Sequence, residues 1–363
     1  MGEFVNGEGL SEEEAEAYMV QDVVGEIDKY KARLVAMGYS QQHGIDFIEV
    51  FAPDACMDTV RMIVALAACK GWNIFQLDVK SAFLHGELRE DVYIEQPKGY
   101  VKKGKEHNIY KLHKALYGLR QAPRAWFSRI ESHFVKKGFQ KCPNEQTLFI
   151  KRGTKDNILI VSIYVDDLIY AGNDKGMMIE FKQSMMQAFD MTGFKIIKDA
   201  DGAAVDDTYF KQIVGSLMYL TATRYLKGTP SYGIFYKKGG AEYLFAFTDS
   251  DYAGDEEDSK STSGYVFLLS SRAMSWMSKK QPIITLSTIE AEFVAPTVSS
   301  ACQAVWMRRV LRNLNHAQED GEIELAHCGT QEQVADLMTK ALKLEAFQKL
   351  RKKMGMLDLT EVD

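Results

Sequence analysis

The stretch Asn157–Gly172, NILIVSIYVDDLIYAG, sets two apolar runs on either side of the adjacent carboxylates Asp166 and Asp167. β-Branched and aromatic residues fill both runs, which predicts two strands of a hairpin with the acids at its tight turn. Neighbouring acids between strands this apolar repel each other and are poorly solvated, so a counter-ion is the natural way to hold them there. A solvated Asp-Asp turn is the plain alternative, and the flanking strands count against it.

At 363 residues the chain has room for two or three domains and a sizeable core. No apolar run approaches the roughly 20 residues of a spanning helix, and the first residues lack a charged-then-apolar signal pattern. A cytoplasmic protein with no membrane partner is expected, with nuclear access left open. Five scattered cysteines, Cys56, Cys69, Cys142, Cys302 and Cys328, include no C-x-x-C pair and read as reduced structural thiols.

A net charge of −6 argues against a nucleic-acid partner only if charge is spread evenly, and it is not. Residues 1–28 hold nine acids and no Lys or Arg, whereas Lys98–Lys141 holds twelve Lys and Arg against Glu106 and Glu131, a local balance of +10. Such a block is either a solvated face or a track for a phosphate backbone.

Working outward, residues 1–28 read as a loose acidic lead-in, helical in part. KYKARLVAMGYS, from Lys29, mixes basic and apolar residues as an edge strand does. Asp58–Lys70 has helical apolar spacing and a Gly after it, Trp72–Val79 is a strand ending near Asp78, and Arg124–Lys137 is a helix. Beyond the hairpin, Met177–Thr192 reads as an amphipathic helix, Gly193–Asp207 as an acidic linker, and Tyr209–Gly240 as two short helical or turn pieces. A boundary near 240 precedes a strand at YLFAFTDSD, a hairpin of GYVFLLSS and AMSWMSKK, and a long helix from the capping box Ser287-x-x-Glu290 to Leu314. A strand at Glu322–His327 and helices over Gln331–Gly355 follow.

Nucleotidyl transfer from a triphosphate calls for two divalent ions about 4 Å apart, one acidifying the attacking hydroxyl and one shielding pyrophosphate. A strand ending in Asp78, beside a hairpin turn carrying Asp166 and Asp167, would supply three ligands. LDVKSAFLHGEL (77–88), ALYGLRQAPRAW (115–126) and IYVDDLIYAG (163–172), with YKARLVAMGYSQQHGIDFIEVFAP (30–53) before them, resemble successive motifs of the reverse transcriptase of copia-type LTR retrotransposons. The resemblance runs from Lys29 to Met356. It implies an α+β fold: polymerase fingers and a ferredoxin-like palm sheet with helices over 29–192, a thumb and connection remnant over 193–240, an incomplete ribonuclease H-like α/β domain over 241–345, and a tail over 346–363.

Carried over residue by residue, the resemblance makes Asp78, Asp166 and Asp167 the catalytic ligands of two Mg²⁺ ions, or of Mn²⁺. Lys31 and Arg33 hold the incoming triphosphate, Phe83 crowds a ribose 2′-OH and so favours dNTPs, and Gln121 touches the nucleotide near its sugar. Each of these four also reads plainly, as a surface charge, a core aromatic or a turn residue. The implied partners are an RNA template, a DNA primer, dNTPs and other parts of a retrotransposon polyprotein. In the second domain TDSDYAGD (248–255), SWMSKKQPIITLSTIEAEF (275–293) and EQVADLMTKAL (332–342) resemble the ribonuclease H of the same elements, with Asp249, Glu292 and Asp336 as three of four metal-binding acids. Asp251, Glu290 and the Asp255–Asp258 cluster read as loop and helix-surface acids. A nucleotide cyclase would need a Gly-rich substrate turn that the sequence lacks.

The chain departs from that pattern in several places. The fourth nuclease acid and its strand are absent between Leu314 and Gly321, and Pro296, inside the predicted long helix, should displace Glu292 at a cost of about 3 kcal/mol. A primer-grip hairpin and thumb helices would fall between Thr192 and Gly193, and a connecting stretch between Arg224 and Tyr225. Protease D-[ST]-G, zinc-knuckle and integrase-like His/Cys patterns are absent, as in a fragment of a polyprotein. Two activities stay open: polymerase with a degenerate nuclease tail, or a catalytically defective nucleic-acid-binding remnant.

Overall fold

A computed structural model describes residues 3–6, 13–21, 27–97, 99–195, 232–236, 239, 243–269, 272–295, 300–316 and 326–358. It is a mixed α/β structure of several antiparallel sheets and helices. The largest sheet has six strands in the order Met191–Lys195, Asn73–Val79, Asp167–Gly172, Ile158–Tyr164, Glu145–Arg152, Gln140–Cys142. Its two central strands are apolar at nearly every position because both faces are covered.

On one face Leu77, Val79, Leu168, Tyr170, Leu159 and Val161 pack against Trp126, Ile130 and Phe134 of the Ala122–Lys136 helix and Met178, Phe181 and Met185 of the Lys175–Ala188 helix. On the other, Ile74, Ile160, Ile169 and Ala171 pack against Ile63, Leu66 and Ala67 of the Met57–Lys70 helix. That helix stops at Gly71, whose φ of 66° is the left-handed conformation a glycine adopts without strain. At the end of the second face that the helix does not reach, the alternation continues in polar residues: Gln76, Asp78, Asp167, Tyr164 and Ser162.

Within residues 1–28 the described parts are strands: Glu3–Asn6 pairs with Asn108–Lys114, and Glu13–Gln21 pairs with Ile27–Ala36. Glu14 and Glu16 alternate with Ala15, Ala17 and Met19, a period of two, and the register sets Glu16 opposite Arg33. The acidic segment thus finds its strand partner in the basic one.

A correction falls at 191–195. Met191–Lys195 is an edge strand paired with Asn73–Val79, Thr192 opposite Asp78 and Gly193 opposite Leu77, where a helix end and a linker were expected. Phe189 caps the preceding helix in extended conformation. Most of the pieces predicted over 209–240 lie outside the described residues. Tyr232–Ile234, predicted as part of a helix or turn, is a strand paired with Met356–Asp358, so the C-terminal tail is tied down.

The C-terminal half is built on the three-stranded sheet Leu244–Ser250, Thr262–Leu269, Arg272–Lys280. Of the predicted long helix, Thr288–Ala295 and Ala301–Asn313 are helical, and 296–299, with Pro296, lie outside the described residues. Ser287 Oγ accepts from Glu290 N at 3.1 Å, as the capping box requires, while the Glu290 carboxylate accepts from Leu286 N at 2.6 Å. Of the strand predicted at 322–327, residues 326–327 are loop and the remainder lies outside the described residues.

The two halves share a core. Tyr265, Phe267, Leu269, Met307, Val310 and Leu311 join the Met57–Lys70 cluster. Asp58 accepts from Ser275 Oγ and Gln303 Nε2, each at 2.9 Å, and from Arg61 Nη1 at 3.0 Å; the Arg61 guanidinium lies 4.0 Å from the Trp276 ring. Trp306 Nε1 donates to Asn144 O at 2.9 Å. No described helix is long and apolar enough to cross a membrane.

Candidate active site

The hairpin register decides where the acids stand. Asp167 opens its strand and sits opposite Asp78, and Asp166 occupies the turn beside them. The turn is tied on both sides: Val79 N donates to Asp166 O at 2.9 Å, and Trp126 Nε1 donates to Val165 O at 2.6 Å. Val165 has a φ of 54°, a conformation unfavourable for a β-branched residue, and the Trp126 bond helps hold it there. The sequence reading saw Trp126 only as an apolar helix residue; its polar edge gives no periodic signal.

Electrostatics mark the same spot. Burial pushes the Asp166 carboxyl up, Asp78 adds to the rise, and Arg33 opposes it. Asp167 is pushed up to about 6, by burial first and then by the charges of Asp166 and Asp78, against a 2.7 Å hydrogen bond that Gln76 Nε2 donates to its Oδ1. The Tyr164 hydroxyl is raised by burial and by Asp54, Asp167 and Asp166. Gln76 Oε1 is buried and finds no partner among the described residues.

Among the described residues no three His, Cys, Asp or Glu side chains already converge on one point as a finished metal site. The donor set nonetheless fits hard divalent ions. It consists of half-buried carboxylate oxygens, and those of Asp166 and Asp167 have their proton affinity raised by burial and by neighbouring carboxylates, a condition that a dication relieves. Asp78, Asp166 and Asp167 are the residues that would hold them.

Around the acids, Phe83 lies in the Ala82–His85 turn with its ring centroid 5.1 Å from that of Tyr117, and the Arg33 guanidinium stands 4.9 Å from the same Tyr117 ring. Tyr117 therefore links two residues that the sequence proposed for nucleotide contact, and it was itself missed. Lys31 lies two residues before Arg33 in the Ile27–Ala36 strand, and its side chain is outside the described residues.

Gln121 is 2% exposed, its Oε1 accepts from Gln41 Nε2 and its Nε2 donates to Asp46 O, both at 3.1 Å. With both ends of the amide engaged, it braces the turn before the Ala122–Lys136 helix.

The second acid set also comes together. Asp249 and Asp336 are buried, and Glu292 stands near enough to feel both: burial, then Asp249, with Asp336 adding, push Glu292 up, while burial and then Asp249 push Asp336 up. Glu292 lies inside the Thr288–Ala295 helix, and Pro296 lies outside the described residues. Lys340 Nζ lies 3.2 Å from both Asp249 Oδ1 and Asp336 Oδ1, and Thr339 Oγ1 donates to Asp249 Oδ2. Gly264, opposite Asp249 in the sheet, makes room: a Cβ there would meet Met338 Cβ at 2.6 Å and Thr339 Cγ2 at 2.8 Å.

Asp78 and Asp167 thus stand opposite each other on neighbouring antiparallel strands, with Asp166 in the adjoining turn. Residues 18–221 match the family described as reverse transcriptase (RNA-dependent DNA polymerase), over half of the chain, and the chain belongs to that family. It is 32% identical to the retrovirus-related Pol polyprotein from transposon TNT 1-94 of Nicotiana tabacum over 80% of this chain and 28% of that protein. It is also 29% and 28% identical to the Pol polyproteins from transposons RE1 and RE2 of Arabidopsis thaliana, each over 92% of this chain and 31% of the relative. The copia-type resemblance read from the motifs is thus shown, and the chain spans under a third of the length of these relatives. The alignment with RE1 covers 451 residues, more than the 363 of the whole chain, so that relative carries segments with no counterpart here.

Proposed function

We propose that the chain is the catalytic part of an RNA-directed DNA polymerase that joins dNTPs to a DNA primer on an RNA template, with fingers and palm in 29–192. The observation that carries this reading is the register seating Asp167 opposite Asp78, with Asp166 in the adjoining turn. Two Mg²⁺ ions, when bound, supply acidification of the primer hydroxyl and neutralisation of the departing pyrophosphate. The residues do the positioning: Asp78, Asp166 and Asp167 concentrate negative charge where the ions bind, Gln76 orients Asp167, and Arg33 and Lys31 attract the triphosphate. Phe83, leaning on Tyr117, closes the space that a 2′-OH would need. Purified chain with Mg²⁺, an RNA template, a DNA primer and dNTPs should extend the primer, and Asp166→Asn should abolish extension; no extension with Mg²⁺ or Mn²⁺ refutes the polymerase activity.

A second reading, a nucleic-acid-binding remnant, is favoured by the segments of RE1 that have no counterpart here. In this reading 193–240 is what is left of thumb and connection, 241–345 is a degenerate ribonuclease H-like domain, and other parts of the polyprotein are the working partners. It predicts salt-dependent binding of primer–template through the Lys98–Lys141 block without turnover.

A further inference from the structure

Beyond the turn that holds Asp166 lies a charged cluster of the opposite sign. Phe189, 3% exposed, is met by three basic side chains: the His85 and His133 rings, each with its centroid 5.4 Å from that of Phe189, and the Arg129 guanidinium, 5.9 Å from it. They reach it from two elements. His85 ends the Ala82–His85 turn, while Arg129 and His133, four residues apart, share a face of the Ala122–Lys136 helix. Trp126 stands between this cluster and the acids, its indole N–H bonded to Val165 O and its ring 5.4 Å from Phe189. His133 Nε2 is hydrogen-bonded to Ser184 Oγ at 3.2 Å, which fixes the imidazole.

The cluster lacks counter-charge. Among the described residues the side chains of Arg129, Lys114, Lys136 and Lys137 form no ion pair, and the nearby acids are taken, Asp190 by Lys80 at 3.2 Å and Glu131 by Lys141. Burial holds the His133 imidazole below its ordinary range, and Lys137, Arg129 and Lys136 add to that. For His85 burial does the same, with Lys114 and Arg129 adding and a bond to the Lys80 backbone and the charge of Asp190 opposing. These cations repel one another as the carboxylates of the hairpin do, and an anion relieves them as a dication relieves the carboxylates. A guanidinium lying on an aromatic ring, its N–H fork unpaired, is shaped to take a phosphate.

We propose that Arg129, His85 and His133 form a phosphate-binding site around Phe189, separate from the metal-binding acids, with Arg129 as the forked donor. The phosphate belongs to a nucleic-acid backbone or to a free polyphosphate; for the first source alone, the proposal rests on reading Lys98–Lys141 as a backbone track.

The test uses the full chain in EDTA, which silences metal-dependent nucleotide binding, and two probes: inorganic pyrophosphate by calorimetry and a labelled oligothymidylate by fluorescence anisotropy. Arg129→Gln should weaken at least one of them about tenfold or more, the scale of one charge-assisted contact, and Arg129→Lys, which keeps the charge without the fork, should fall between. Loss of pyrophosphate binding names a free polyphosphate as the ligand. Loss confined to the oligonucleotide, its logarithmic salt slope falling by about 0.7, names the backbone. In the parent chain the bound probe should move the imidazole NMR signals of His85 and His133 and leave the rest of the seven histidines in place; this measurement decides if Arg129→Gln fails to fold. No binding of either probe by the parent overturns the proposal, as does equal affinity of parent and Arg129→Gln for both probes, or imidazole signals unmoved at saturation. Oligonucleotide bound alike by parent and variant leaves the backbone track standing without this site.

Discussion

Asp167 pays for its place in the site. Its carboxyl is pushed up to about 6 in the folded chain, against about 3.9 for an unfolded aspartate. The folded state therefore holds this proton more tightly, a contribution complete below about pH 4 and lost as pH rises through 6. Asp167→Asn removes that titration. In metal-free buffer the variant should match the parent near pH 4, gain on it as pH climbs, and hold an advantage of about 1–2 kcal/mol at pH 8, after a discount for partial exposure. Urea unfolding at pH 4, 6 and 8 measures this, and equal stability at pH 8 contradicts the strain assigned here. Phe83 acts at the same scale through shape: half-buried against Tyr117, it should discriminate by exclusion. Phe83→Ala should raise the ratio of UTP to dTTP incorporation about tenfold or more, a typical effect for one steric contact in a pocket. An unchanged ratio would return Phe83 to the ordinary core.

The turns that carry these residues are held by backbone contact as much as by side chains. Gly38 and Gly118 face each other so closely that a Cβ on Gly38 would lie 1.9 Å from Gly118 O, and one on Gly118 would lie 2.0 Å from Ala36 O; Gly118 also has a φ of 88°. This contact locks the strand bearing Arg33 to the turn bearing Tyr117. Gly118→Ala should cost about 3 kcal/mol or more, read as a lower urea midpoint. Trp126→Phe keeps the packing of the Ala122–Lys136 helix but drops the bond to Val165 O, and should cost about 1–2 kcal/mol together with a loss of primer extension. Elements of this kind divide what the sequence discloses from what it withholds. The Met57–Lys70 helix, the Asn73–Val79 strand and the hairpin around Asp166 were legible because apolar periodicity and stop signals coincide there. The strand at Met191–Lys195 was not, since five residues are too few to show a period and an edge strand takes its conformation from the row of hydrogen bonds beside it. The bonds that hold Gln121 were not legible either, because a motif names a residue without saying which way its turn folds it.

Across the whole molecule the N-terminal and C-terminal halves are one body. Leu311, fully buried, belongs to the same cluster as Ile63 and Leu66, and Asp58 ties Ser275 and Gln303 to the Met57–Lys70 helix. Unfolding should therefore be a single transition in which near-ultraviolet circular dichroism and far-ultraviolet helix signal coincide. Leu311→Ala, in the C-terminal half, should lower the whole transition by about 2–4 kcal/mol; two separated transitions would show that the halves melt independently. The strand joining Thr192 to Gly193 has a wider consequence. Thr192 is bonded opposite Asp78 and Gly193 opposite Leu77, so the sheet runs through this position unbroken. The sheet that carries the YVDD tetrad is thus continuous in a chain that lacks segments present in the RE1 relative. A census of such tetrads in a genome records kinship among elements, which is a different quantity from the number of working copies.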